Sequence, residues 1–170
     1  MGRKRVIARS ARLADARGSV HTASVIRLGT PADYRAVAAV FRRASLFNDG
    51  DRDNLLAYPQ HLVLQPDGLE QGRTYVAEKH GSVIGFASWV KTAGTVDLED
   101  LFVEPTWMRR GVATALVARI VDVLRSQGIS CLEVTANPHA IGFYRHVGFH
   151  DIGTAMTQFG QAPRMALVIV

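Results

Sequence analysis

Three carboxylates fall within one nine-residue apolar run. Thr95–Val103 reads TVDLEDLFV and carries Asp97, Glu99 and Asp100 among residues of strand character. Period two puts Asp97 and Glu99 on one face and Asp100 on the other. Two carboxylates sharing a face repel, which raises the pKa of one toward a range useful for moving protons. The same acids can instead bind a cationic amine or pair with arginines. Directly downstream the chain reads VEPTWMRRGVATALVA over Val103–Ala118. Ala113, Leu116, Val117, Ile120 and Leu124 follow a helical period. A strand, a turn holding Pro105, Arg109 and Arg110, and Gly111 at a helix start together form a pattern that binds an anion. The first helical N–H groups have no partner within the helix, and the helix dipole favours negative charge there. Gly111 and Ala113 leave the backbone open to a ligand. The competing reading is a helix start with a glycine for close packing.

The elements around these residues must hold them. Ser24–Gly29 reads as a first strand. Thr30, Pro31 and Asp33 then open a helix as N-cap, N1 and N3. Tyr34, Val37, Val40 and Phe41 form its apolar stripe. Ser45–Asp53 contains the turn signal Asn-Asp-Gly, Asp53–Leu62 reads as a second helix, and Gln65–Gly72 as a loop. Arg73–Glu78 and Val83–Val90 form a hairpin, and Thr95–Val103 extends it to a meander. Gly128 stops the long helix. Cys131–Ala136 is a strand, Asn137 caps a helix over Pro138–Val147, and strands at Asp151–Gln158 and Met165–Val170 close the chain around a Phe159–Pro163 connection. The order β-α-α-β-β-β-α-β-α-β-β describes an α/β domain with a mixed sheet.

The chain has 170 residues, 48% hydrophobic and 21% charged, enough for one domain with a sizeable core. Its net charge of +5 is concentrated at the start. Residues 1–20 hold six basic residues and one acid, and the remainder balances to zero. We therefore expect residues 1–23 to be a basic, flexible tail and 24–170 to be one domain. With no charge excess on that domain, nucleic acid is not expected as a partner. The single cysteine, Cys131, cannot form an internal disulfide, which fits a cytoplasmic, reducing location. No apolar run reaches membrane-spanning length, and the six histidines show no metal spacing. A homodimer is left open.

These residues carry a family resemblance. LEDLFVEPTWMRRGVATAL resembles motif A of the GCN5-related N-acetyltransferases, whose core is Gln/Arg-x-x-Gly-x-Gly/Ala. Here that core is Met108-Arg109-Arg110-Gly111-Val112-Ala113, with Met108 in place of Gln/Arg. ANPHAIGFYRHVGF, Ala136–Phe149, resembles their motif B, and the likeness spans about Val25 to Val170. It implies a mixed, mostly antiparallel sheet flanked by helices, with acetyl-coenzyme A (acetyl-CoA) as co-substrate and no metal.

By the same resemblance, backbone N–H groups of Arg109, Arg110, Gly111, Val112 and Ala113 would hold the pyrophosphate. The Thr114 hydroxyl and the Arg109 and Arg110 charges would assist. The strand edge at Leu101, Phe102 and Val103 would pair with the pantetheine arm, and Asn137 would reach the same arm. Transfer in the family is direct, from thioester to amine. Tyr144 matches the motif-B tyrosine, beside the cofactor and able to protonate the leaving thiolate; core packing is its other reading. Among base candidates Glu99 ranks first, Asp97 second and Asp100 third, with a water relay as the alternative. The acceptor, a primary amine on a small molecule, amino acid, antibiotic or protein, would meet Arg42–Leu64 and Thr157–Arg164. A non-catalytic module that senses acetyl-CoA is the rival function.

Overall fold

A computed structural model describes residues 23–170. The expected basic tail lies outside the described residues, apart from its last position. A seven-stranded sheet runs in the order β1-β2-β3-β4-β5-β7-β6. Its strands are β1 (Val25–Leu28), β2 (Thr74–Lys79), β3 (Ser82–Thr92), β4 (Thr95–Val103), β5 (Cys131–Thr135), β6 (His150–Thr157) and β7 (Gly160–Val168). Every pairing is antiparallel except β4 with β5. Among the described residues five α-helices accompany it: α1 (Tyr34–Phe47), α2 (Asp49–Ala57), α3 (Asp67–Glu70), α4 (Val112–Ser126) and α5 (Ile141–His146). The expected order of strands and helices holds, with α3 added as one helical turn inside the stretch expected to be a loop.

Local chemistry sets several boundaries. The Asp33 carboxylate accepts from the Thr30 N–H at 2.8 Å, so the residue at N3 satisfies a donor before the first turn. Arg27 bridges Asp33 and Glu78 and holds the Asp33 carboxyl far below the usual carboxylate range. The Asn-Asp-Gly turn signal resolves differently from expectation. α1 continues to Phe47, and Asn48 alone separates it from α2 by accepting from the Gly50 N–H. Asp49 and Asp51 then sit in the first turn of α2, where the dipole favours acids. Tyr58 breaks α2 before a 3-10 turn at Pro59–Leu62. The connection expected at Phe159–Pro163 shrinks to Gln158-Phe159, because residues 160–163 pair with β6.

Two cores lie on opposite faces of the sheet. On one face α4 buries Leu116, Ile120 and Leu124 against Leu132 and Met165. On the other, Val37 and Val40 of α1 pack with Leu64, Leu69, Val76 and Phe86. Truncating a fully buried leucine such as Leu116 to alanine costs about 2–5 kcal/mol.

Strand β4 carries two irregularities. Its register against β3 pairs Leu98 with Trp89 and Asp100 with Ser88, so Glu99 is an extra residue in a β-bulge. Its pairing with β5 amounts to one rung, Asp97 with Glu133. Beyond that rung the two strands part.

Candidate active site

The bulge corrects the expected arrangement of the three acids. Period two would place Asp97 with Glu99. Inserting Glu99 resets the alternation, so Asp97 and Asp100 share the α1 face while Leu98 and Leu101 face α4. The acids then have three different environments. Asp97 pairs with Arg164, whose guanidinium also donates to Glu133 at 2.6 Å and to Thr135 at 3.0 Å. Glu99 is exposed and lies 3.3 Å from Arg73. Asp100 is largely buried and accepts from the Ser88 hydroxyl at 2.5 Å. Burial raises the Asp100 pKa above the ordinary carboxylate range, against the opposing pull of the Ser88 hydrogen bond.

Asp100 ends a polar row across three strands. Thr74 is opposite Ser88, and Ser88 is opposite Asp100. Thr74 and Ser88 are 3% and 2% exposed, the buried polar residues of an otherwise apolar interior among the described residues. The two ends of the row, Thr74 and Asp100, line a cavity of about 210 Å³ beneath α1, with Phe41, Leu69 and Phe86 as apolar walls. The 66–70 turn closes down on this row. A Cβ on Gly68 would come within 2.5 Å of the Thr74 hydroxyl, so only glycine lets the turn approach.

The expected acceptor region overlaps this cavity only in part. Val63 and Leu64 line it, but Gln65–Leu69 and the strand row were not anticipated, and no residue of Thr157–Arg164 reaches it. The hairpin touches the same end of the molecule through Phe159, whose ring meets His61 edge-on at 5.6 Å. The mid-strand Ser88 within the apolar run VIGFASWV was a usable signal, because an isolated hydroxyl in a buried strand needs a polar partner.

The side where a cofactor is expected is built mainly from backbone. Gly111 is the N-cap of α4 with φ +79, a left-handed conformation that glycine adopts freely. Nothing lies within 4 Å of where its Cβ would be, so open space faces the helix start. Arg109 also has positive φ, +60, which a side chain disfavours, and successive turns of this kind aim N–H groups into one concavity. Arg110 stacks on Trp107 at 5.0 Å, and Lys79 lies 4.9 Å from the same ring. Met108 packs against the α4 core. That contact accounts for an apolar residue where the resemblance expects Gln or Arg. Val112, Ala113 and Thr114 form the first turn of α4.

Where β4 leaves β5, the β5-facing backbone of Leu101, Phe102 and Val103 has no strand partner among the described residues. The Phe102 side chain points to the opposite core, edge-on to Phe41 at 4.9 Å. The Asn137 carbonyl oxygen accepts from the His139 N–H at 2.9 Å, which leaves its amide N–H groups for other partners. Tyr144 is buried in the α4 core, with Phe143 and Phe149 edge-on at 5.3 and 5.4 Å. Burial pushes its phenol up to about 12.

Among the described residues no group of three or more His, Cys, Asp or Glu could hold a metal ion. None of their helices is long and apolar enough to cross a membrane.

Comparison with known proteins adds three findings. A family model described as the acetyltransferase (GNAT) family matches residues 39–149. Among curated relatives, an uncharacterized N-acetyltransferase, ycf52, of Gracilaria tenuistipitata var. liui is 30% identical over 76 residues, 44% of this chain and 42% of its own. Glucosamine 6-phosphate N-acetyltransferase 1 of Oryza sativa subsp. japonica is 29% identical over 97 residues, 56% of this chain and 57% of its own. The chain thus spans from a quarter to little more than half of the relatives it matches. Among solved structures, a GCN5-related N-acetyltransferase from Rhodopseudomonas palustris aligns with TM-score 0.69 and 21% identity, over 88% of this chain and 98% of its own. The PaiA N-acetyltransferase of Thermoplasma acidophilum, in complex with coenzyme A, aligns with TM-score 0.67 and 14% identity, over 86% and 99%. At these identities the structures share the fold.

Proposed function

The chain belongs to the acetyltransferase (GNAT) family, and from that premise we propose that it transfers an acetyl group from acetyl-CoA to a primary amine. One observation carries this reading. The free edge of β4 opens after a single rung with β5 and leads straight to the left-handed Gly111 cap of α4. An extended pantetheine arm needs unpaired strand N–H and C=O groups, and a pyrophosphate needs helix-start N–H groups. The open space at Gly111 and the unpartnered edge at Leu101–Val103 fit both. The coenzyme A complex of the similar PaiA structure supports the same ligand.

Acetyl-CoA supplies the acetyl group as a thioester, and the residues of this chain manage the protons. An amine is protonated near neutral pH and must lose a proton before it can attack. Asp100 is the proton acceptor in this reading, displacing Glu99 and Asp97. Its raised pKa makes it a better base than an ordinary carboxylate, and Ser88 orients it. Asp97 is neutralised by Arg164 and serves structure instead. Tyr144 keeps its proton across the physiological range, so its O–H can donate to a departing thiolate. The bulge at Glu99 leaves a peptide unit without a partner on β3, a backbone donor beside the parting strands.

The test is a pair of measurements on one preparation. Acetyl-CoA should raise the melting temperature, and free thiol should appear when primary amines are added. No thermal shift removes the cofactor. A shift without thiol release for any amine would leave a binding module.

A further inference from the structure

The cavity beneath α1 has one sign of charge. Its lining includes the carboxylates of Asp67, Glu99 and Asp100 and no Lys, Arg or His. The arginine that pairs with a lining acid, Arg73, is held outside the lining: its Nε donates to Gln71 at 3.0 Å and its Nη1 to the Trp89 carbonyl at 2.5 Å and to Glu99 at 3.3 Å. The acids are graded by depth. Asp67 and Glu99 are exposed at the mouth, and Asp100 is largely buried at the polar row. Apolar walls occupy the rest. At about 210 Å³ the space is smaller than the about 300–1,000 Å³ typical of sites for drug-sized ligands, so it takes one arm of a molecule.

We infer that the acceptor seated here is a primary alkylammonium group on a short, uncharged, apolar stem, with no carboxylate or phosphate near the amine. The inference rests on the transfer reading and names its substrate class. An ammonium entering the cavity gains attraction from the mouth acids and meets Asp100 and Thr74. Its stem lies against Phe41, Leu69 and Phe86. An α-amino acid would bring its carboxylate among three acids, one of them already paired with Arg73, with no cation in the lining to receive it, and such like-charge contact is disfavoured. Proton balance is simple. The ammonium gives one proton to the Asp100 carboxylate, which passes it to solvent. The freed amine attacks the thioester carbonyl, the C–S bond breaks, the thiolate takes a proton from Tyr144, and the second proton shed by the nitrogen as the amide forms returns to the Tyr144 phenolate. A lysine side chain in a peptide and a free alkylamine present the same group, and the test separates them.

The full chain is assayed by thiol release with acetyl-CoA and three acceptors: n-butylamine, L-norvaline, which is the same stem bearing an α-carboxylate, and Nα-acetyl-lysine N-methylamide. We expect kcat/KM for butylamine or for the lysine amide to exceed that for norvaline by about 100-fold. The better of the two identifies the source. Asp67→Lys, at an exposed position, should narrow the gap between butylamine and norvaline by about tenfold. Norvaline turned over as well as butylamine overturns the inference while the transfer reading stands. A butylamine-to-norvaline ratio that Asp67→Lys leaves unchanged overturns it in the same way. Thiol release from none of the three, in protein whose melting temperature still rises with acetyl-CoA, overturns the transfer reading, and the inference falls with it.

Discussion

The two halves of the site are made of different material. The proposed cofactor half, from the β4 edge through Gly111 to Asn137, is mostly backbone: unpaired strand groups and the first turn of α4. The proposed acceptor half is mostly side chain: Thr74, Ser88 and Asp100 in a row under α1. A backbone site tolerates a changed side chain, which is why Met108 can pack into the core without removing the helix start. A side-chain site has no such tolerance, because each group works only on the correct face and in the correct register.

The largest effect should come from the backbone half. Ligand at about a hundred times its Kd contributes about 2.7 kcal/mol, so saturating acetyl-CoA should raise the wild-type Tm by about 5–10 °C. Gly111→Glu places an anion at the helix start and a side chain in a left-handed cap, and the shift should vanish. A retained shift would mean that the cofactor does not use this turn.

The acceptor half should break in the opposite way. Asp100→Asn should lower kcat/KM by about 10²-fold or more with the acetyl-CoA shift retained. Its stability should move the other way. Burial raises the folded-state pKa of Asp100 above its unfolded value, so its contribution is favourable at low pH and is lost as pH rises through the folded pKa. At pH 8 the asparagine variant should therefore be at least as stable as wild type. A variant that is both destabilised and fully active would remove Asp100 from the chemistry.

Tyr144→Phe tests the border between the halves. It should lower kcat by about 10–100-fold and leave the thermal shift intact. With the phenol near 12, no alkaline loss of activity from this group should appear below about pH 11. Unchanged kcat would make Tyr144 a packing residue alone.

The smallest effect concerns the rung where β4 and β5 part. Arg164→Met leaves Asp97 facing Glu133 without a cation. Both sites are partly solvated, so the cost should be about 1–2 kcal/mol, read by chemical denaturation. If the Kd for acetyl-CoA stays within about twofold, the guanidinium is not what holds the strands apart.

The sequence disclosed these halves unequally, and for the same physical reason. Gly111 before a helical period, Pro105 before the turn and Asn137 before Pro138 are local signals, and each marks a backbone conformation. They located the end of β4, the start of α4 and, at Asn137, a 3-10 turn over Pro138–Ala140 that leads into α5 three residues later than the expected helix start. The acceptor row depends on which residues of three strands lie opposite one another, and one bulge was enough to mislead. Alternation counted through Glu99 grouped Asp97 with Glu99, whereas the register groups Asp97 with Asp100. Arg164 fell between the expected Phe159–Pro163 connection and the expected Met165–Val170 strand, yet residues 160–168 form β7, and the arginine lies across from Thr135. The Asn-Asp-Gly stretch read as a turn because its acids suit one. Those acids suit a helix start equally well, and α2 begins there.

Glu99 can be treated as an insertion rather than a functional group. Excising it would leave Leu98 against Trp89 and Asp100 against Ser88, so both cores keep their residues and the strand becomes regular. The unpaired peptide would be lost together with the carboxylate beside Arg73. Replacing Glu99 by glutamine does the reverse, keeping the peptide and discarding the charge. The two changes at one position separate what the main chain contributes from what the carboxylate contributes. If the deletion silences the protein and the substitution does not, this acid counts for the space it occupies along the strand.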